Sequence, residues 1–144
     1  MTAQSQGPFF QTVYISSARE LMDDSSLDKM LADIRVKNAA LGVTGILLYV
    51  DGNIMQVLEG EQALIDELMQ KITIDPRHKG VIVLLREAIH ERQFGDWSMA
   101  YRSLSNEEAE GFSNFFNKSS SKDEELLQAS RVKSLLVRFR DSMT

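Results

Sequence analysis

The chain has 144 residues, and 43% of them are apolar, which is enough for one compact domain with an appendage. Against 21 aspartates and glutamates stand 16 lysines and arginines, so the net charge is −5 and no basic block marks a nucleic-acid binder. Cysteine is absent, which excludes disulfides, thiolate metal sites and any cysteinyl cofactor adduct.

Residues 1–8 are small and polar and predict a flexible N-terminus. Residues 9–16 predict the first strand. Its alternation sets Phe10, Thr12, Tyr14 and Ser16 on one face and Phe9, Gln11, Val13 and Ile15 on the other. Taken alone, Tyr14 is an ordinary β-forming tyrosine. Ser25 or Ser26 is the expected cap of a helix running to about residue 40, with Ser25 and Asp28 in capping-box spacing. Leu27, Leu31 and Ile34 form its apolar stripe, with Met30 beside them. One more turn carries the stripe to Asn38, an amide on a core-facing surface that could equally be a helix-end cap. Gly42 supplies the stop.

Residues 43–60 read as two strands around an Asp51-Gly52 turn. Both strands are apolar almost throughout, which predicts a central place in a sheet. Gln56 breaks the pattern, because it shares a face with Ile54 and Leu58. A buried amide costs roughly 1–3 kcal/mol unless it is partnered, so something must satisfy it. Residues 61–72 return to helical periodicity through Leu64, Ile65, Leu68, Met69 and Ile72, and Asp75-Pro76-Arg77-His78 ends it. Residues 80–88 hold the run Val81-Ile82-Val83-Leu84-Leu85, whose weak alternation predicts a strand buried on both sides. Residues 94–102 read as a last strand with Trp97, Met99 and Tyr101 on one face.

The order β-α-β-β-α-β-β predicts an α+β, ferredoxin-like sheet over 9–104 with both helices on one face. The first strand then neighbours the strand of Gln56, so Tyr14, Gln56 and the end of the first helix converge beneath the helices. Residues 105–144 predict a C-terminal helical extension for capping, output or oligomerisation. Ser105 with Glu108, and Ser121 with Glu124, have capping-box spacing there, around a serine-rich linker at 117–122. Its helices are expected to cover the other face of the sheet, in this chain or in a dimer partner.

His78 and His90 are the only histidines, and neither sits in a hydrolytic motif. Without cysteines or paired helical carboxylates they make no persuasive metal site. Neither GxGxxG nor a P-loop is present, and the aromatic pattern of RNA-reading strands is missing. No apolar run approaches membrane-spanning length and no signal peptide is visible, which predicts a cytoplasmic protein. What remains is Tyr14, Asn38 and Gln56. A phenol and two amides around one apolar cavity suit a planar heterocycle that alternates carbonyl and N–H groups. A phenol beside an amide can pass a proton, or lose an electron, to an oxidant held against it. Trp97 and Met99 can close the same space. On the residues alone, the reading stops at a buried polar site for a flat ring ligand.

Several blocks carry a resemblance: Val-Tyr-Ile-Ser-Ser at 13–17, Lys-Asn at 37–38, Gly-Val-Thr-Gly-Ile-Leu-Leu-Tyr at 42–49 and Met-Gln-Val-Leu-Glu-Gly at 55–60. Asp-Pro-Arg-His at 75–78 and Phe-Gly-Asp-Trp-Ser-Met at 94–99 continue it in order. Over about residues 9–104 the chain resembles the BLUF family, blue-light sensors that use FAD. The resemblance implies FAD held non-covalently between the two helices, its ring edge toward Tyr14 and Gln56. It implies Tyr14 as the photoactive tyrosine, Gln56 as the switching glutamine and Asn38 at the flavin carbonyl edge. Asp75, Arg77 and His78 are similar to residues near the ring and ribityl side. Lys37, about 100° around the helix from Asn38, falls at the rim. Trp97 and Met99 match a pair whose in-or-out arrangement varies within the family.

The implied function is light sensing, not catalysis. Under light Tyr14 is expected to give an electron to the excited flavin, with a proton moving through Gln56. Recombination then leaves Gln56 rotated or tautomerised. The change is expected to reach Met99, the last strand and the C-terminal helices. Output is expected through a separate effector protein or a homo-oligomer, since no cyclase or phosphodiesterase sequence is fused. The competing reading is a dimerisation module that binds flavin or another small ligand without photochemistry. A flavin enzyme is a third reading, but no substrate acid, base or second pocket shows in the sequence.

Overall fold

The structure, a computed structural model, describes residues 8–19, 22–50, 52–95, 98–103 and 134. The chain divides into two compact units, Met1–Ser103 and Leu104–Thr144. The elements below belong to the first. The expectations for residues 1–7, for Asp51, for Trp97 and for the C-terminal helices lie outside the described residues.

Strand β1 spans Phe9–Ala18 and is followed by helix α1, Asp24–Leu41. Strands β2, Thr44–Val50, and β3, Asn53–Gly60, form the expected hairpin, with Val50 opposite Asn53 across a two-residue connection. Helix α2 spans Gln62–Ile74, strand β4 His78–Ile89 and strand β5 Ala100–Ser103. The strands make one sheet in the order β4-β1-β3-β2-β5. β3, the strand of Gln56, is central, as the near-continuous apolar run predicts. Every pair is antiparallel except β2 with β5, which is parallel. This is the α+β, ferredoxin-like arrangement expected from the element order.

The helix-facing core gathers Leu27 and Leu31 of α1, Ile65 of α2, Tyr14, Leu47, Ile54 and Leu58 of the sheet, and Met99. Alternation assigns these strand residues to one face. Glu59, Val57 and Met55 take the other, and all three are buried.

Three local readings change. The cap of α1 is Asp23, whose side chain accepts from Ser26 N–H at 2.8 Å, so Ser26 is capped and does not cap. Gly42 ends the helix in the left-handed conformation at φ 69°, as expected. The β4 run is not buried on both sides: β4 is an edge strand, and Val83 is 44% exposed. Its weak alternation has another cause. The register against β1 shifts between Val13 and Tyr14 and again between Ile15 and Ser17, so extra β4 residues reset which side chains face which way. Gly80, at φ 64°, lies in the second shift.

The last strand is also shorter than predicted. Among the described residues, Phe94, Gly95, Ser98 and Met99 do not join the ladder. The N–H groups of Gln93 and Phe94 go to the Glu59 carboxylate, and the carbonyls of Ser98 and Met99 are claimed by side chains of α1. With these groups engaged elsewhere, strand pairing starts only at Ala100.

Candidate functional site

Tyr14 and Gln56 are directly opposed across β1 and β3. Both are buried, and the phenol donates to Gln56 Oε1. Gln56 Nε2 in turn donates to Met99 Sδ at 3.5 Å. The buried amide flagged by the sequence thus has a partner at each end. The two ends are unequal: a hydroxyl is a strong donor, whereas a thioether is a weak acceptor. Turned by half a rotation, the amide would offer Nε2 to the phenol oxygen, which can accept, and Oε1 to a sulfur that has no proton to give. The residues of this chain therefore favour one orientation while leaving the other within reach.

Burial pushes the Tyr14 phenol well above its ordinary pKa of 10.0; the Asp75 carboxylate adds to this and the Arg77 guanidinium opposes it. Tyr14 is accordingly a neutral hydrogen-bond donor at physiological pH.

Asn38 lies in the last turn of α1 and is buried. Its side chain does not cap the helix. Nδ2 crosses to Ser98 O at 2.9 Å, and among the described residues its Oδ1 accepts no hydrogen bond. One turn earlier, Arg35 Nε donates to Met99 O at 2.8 Å. Together they hold the Ser98–Met99 backbone against α1 and so place the Met99 sulfur beside Gln56. Sequence reasoning missed Arg35, which sits on the exposed side of the apolar stripe and carries no motif.

Past the end of α2, Asp75 accepts from Arg77 N–H at 2.8 Å and from its guanidinium at 2.7 Å. That bond raises the Arg77 pKa further. Both residues line a cleft floored by Tyr14, Gln56 and Asn38 and walled by Met30 and Ile34 of α1 and Leu68 and Ile72 of α2. The cleft holds about 860 Å³ of atom-free space, counting the part that is open to solvent. Lys37 also lines it, and so does Lys71 in the last turn of α2, which the sequence reading did not single out. The backbone of His78 opens β4 opposite Ala18.

An apolar slot between two helices, convergent amide and phenol groups at its floor and cations among its lining residues match the chemistry of a flavin. The slot takes the hydrophobic faces of a flat ring. The open Asn38 Oδ1 and the weakly held Gln56 amide suit its polar edge. Lys37, Lys71 and Arg77 suit a phosphate. Among the described residues no helix is long and apolar enough to cross a membrane.

The model of one protein family, "Sensors of blue-light using FAD" (BLUF), matches residues 9–100. Among curated proteins, the chain is 37% identical over 87 residues to the photoactivated adenylate cyclase subunit beta of Euglena longa, covering 60% of this chain and 10% of that one. It is 35% identical over 95 residues to the subunit alpha of Euglena gracilis, covering 66% of this chain and 9% of that one. The chain thus spans about a tenth of these relatives. Among solved structures it resembles the dark state of BlrB, a BLUF protein, with a TM-score of 0.73 and 30% identity over 96% of this chain and 99% of that one. The photo-activated state of BlsA gives 0.71 and 30% identity over 90% and 95%. With the family model matched from β1 to the first residue of β5, this chain belongs to the BLUF family of blue-light sensors that use FAD.

Proposed function

We propose that this protein is a blue-light photoreceptor in which FAD lies in the cleft between α1 and α2 and the Tyr14–Gln56 pair is the switch. The observation that supports this most is the hydrogen-bonded row Tyr14, Gln56, Met99 on the cleft floor. Asn38 and Gln56 hold the polar edge of the ring. Lys37, Asp75, Arg77 and His78 serve the ribityl and phosphate side, joined by Lys71.

When bound, the flavin supplies absorption of blue light and, once excited, a strongly oxidising partner for Tyr14. Tyr14 would be its electron donor, and the hydrogen bond to Gln56 would give the phenol proton a path. Return of both to Tyr14 would leave no covalent bond and no net redox change. What persists is the Gln56 carboxamide, rotated or tautomerised, with its donor and acceptor ends redirected. Met99 is the first residue to register this, because its sulfur accepts from Gln56 Nε2. Trp97 is the other residue of the last segment assigned to this response. A buried amide cannot reverse its polarity without disturbing its partners, and Met99 leads directly into β5.

Output passes from β5 to residues 105–144, which we read as a helical extension that serves as a cap, in output or in oligomerisation, and then to a separate effector protein. The chain itself acts as a cytoplasmic sensor without catalytic activity. The test is an absorption spectrum of FAD-loaded protein before and after blue light. A reversible red shift is expected. A bound flavin without a shift would favour a passive flavin-binding module, and protein that stays colourless with FAD supplied would remove the flavin site.

A further inference from the structure

Resting on the photoreceptor reading above, we propose that Glu59 is a positioning residue for the switch, fixing the loop that brings Met99 against Gln56. Glu59 is on β3, three residues from Gln56, and period-two alternation puts the two side chains on opposite faces of the sheet. It is 0% exposed. A fully buried carboxylate is costly unless every oxygen is supplied with donors, and here each oxygen has two. Oε2 accepts from Gln93 N–H at 2.8 Å and Gln11 Nε2 at 3.4 Å. Oε1 accepts from Phe94 N–H at 3.0 Å and Thr44 Oγ1 at 3.1 Å.

The register explains the convergence. Gln11 and Thr44 are the residues opposite Glu59 on β1 and β2, so the sheet presents them to it from either side. Arg92 completes the arrangement: its guanidinium donates to Thr44 Oγ1 at 2.9 Å and to Glu59 O at 3.1 Å. Thr44 therefore relays a hydrogen bond from the cation to the buried anion. All four groups at the carboxylate are donors. An amide in its place would turn an NH2 toward two of them, so only a carboxylate satisfies the site.

The consequence lies at the other end of the loop. Gln93 and Phe94 are tied to one face of the sheet, while Ser98 and Met99 are clasped on the other by Asn38 and Arg35. From Phe94 to Met99 the chain can span at most about 17 Å fully extended. So short a strap passes a change of anchor on to Met99. The methionine has little freedom to absorb it. Its Cε rests 3.4 Å from the point where a Cβ on Gly45 would stand, and its sulfur accepts from Gln56. Two residues of β3, one on each face, thus act on one switch: Gln56 changes polarity and Glu59 holds the sensor that reads it.

The test uses the full chain loaded with FAD and labelled at the methionine methyls, the Met99 signal being assigned through Met99→Leu. In the dark, Glu59→Gln is expected to move the Met99 resonance. After blue light it should change the rate of dark recovery by at least about threefold, the scale of coupling within one hydrogen-bond network. In the Met99→Leu background the same substitution should leave the recovery rate unchanged. An unmoved Met99 signal overturns the proposal, as does an equal rate change with and without Met99. Should Glu59→Gln fail to fold, Thr44→Val removes one donor to the carboxylate and the link to Arg92, and it too must move the Met99 signal. A wild type without a light response would sink the photoreceptor reading, while the Met99 signal in darkness would still decide the role of Glu59.

Discussion

A double-mutant cycle on Tyr14 and Gln56 measures the contact on which the switch depends. In Tyr14→Phe the buried Gln56 Oε1 loses the phenol donor it now accepts from. An unsatisfied buried polar group costs about 1–3 kcal/mol. Gln56→Leu takes the acceptor from the phenol and should cost about the same. The bond to Met99 adds little, since its sulfur is a weak acceptor that loses nothing by facing a methyl group. In the double variant neither polar group remains, and two apolar side chains of similar size meet across the strands. Its destabilisation should be well below the sum of the singles, with an interaction energy of at least about 1 kcal/mol. The assay is urea denaturation in the dark on flavin-free protein, so that no bound ring rescues the stranded group. For a domain of about 100 residues each kcal/mol also appears as a fall of roughly 4–8 °C in Tm. Additive costs would show that the two side chains do not depend on each other, and the reasoning about the paired amide would be wrong.

Other expectations follow from the same geometry. Gly45→Ala should lower stability by about 1–3 kcal/mol or more, because the new Cβ would stand 1.8 Å from Val57 O, a backbone atom that cannot step aside; thermal melting at wild-type temperature would refute this. Stability should fall as the pH climbs above about 10, because the unfolded chain gives up the Tyr14 proton near its ordinary value while the folded chain, with a raised pKa, retains it. Urea midpoints between about pH 9 and about pH 11 test this, and Tyr14→Phe must flatten the slope. Lys71→Ala should weaken FAD binding by about two- to fivefold, with the difference shrinking as salt is added; unchanged affinity at low salt would remove Lys71 from the cofactor site.

How far the sequence carries depends on where each signal resides. The apolar hairpin with one amide in it is a local pattern, and it located both the centre of the sheet and Gln56. The helical stripe ending on Asn38 was legible for the same reason, although not that its side chain would reach Ser98 instead of capping the helix. The β4 run misled because periodicity cannot distinguish a strand buried on both faces from an edge strand whose register shifts. The segment before β5 misled because its β-forming side chains are real, but the backbone groups of Gln93, Phe94, Ser98 and Met99 are taken by Glu59, Asn38 and Arg35. Those bonds join residues 34 to 64 positions apart, and no local pattern records them. Glu59 illustrates the limit best. As one acid at the end of an apolar strand it looks like a solvated terminus, and only the fold shows four donors around it.

The central claim is that Gln56 is the element that changes under light. The most direct measurement is the light-minus-dark absorption difference of FAD-loaded Gln56→Leu, taken beside the wild type. The account predicts a reversible red shift in the wild type and none in the variant, with flavin still bound. A full shift in the variant would contradict it.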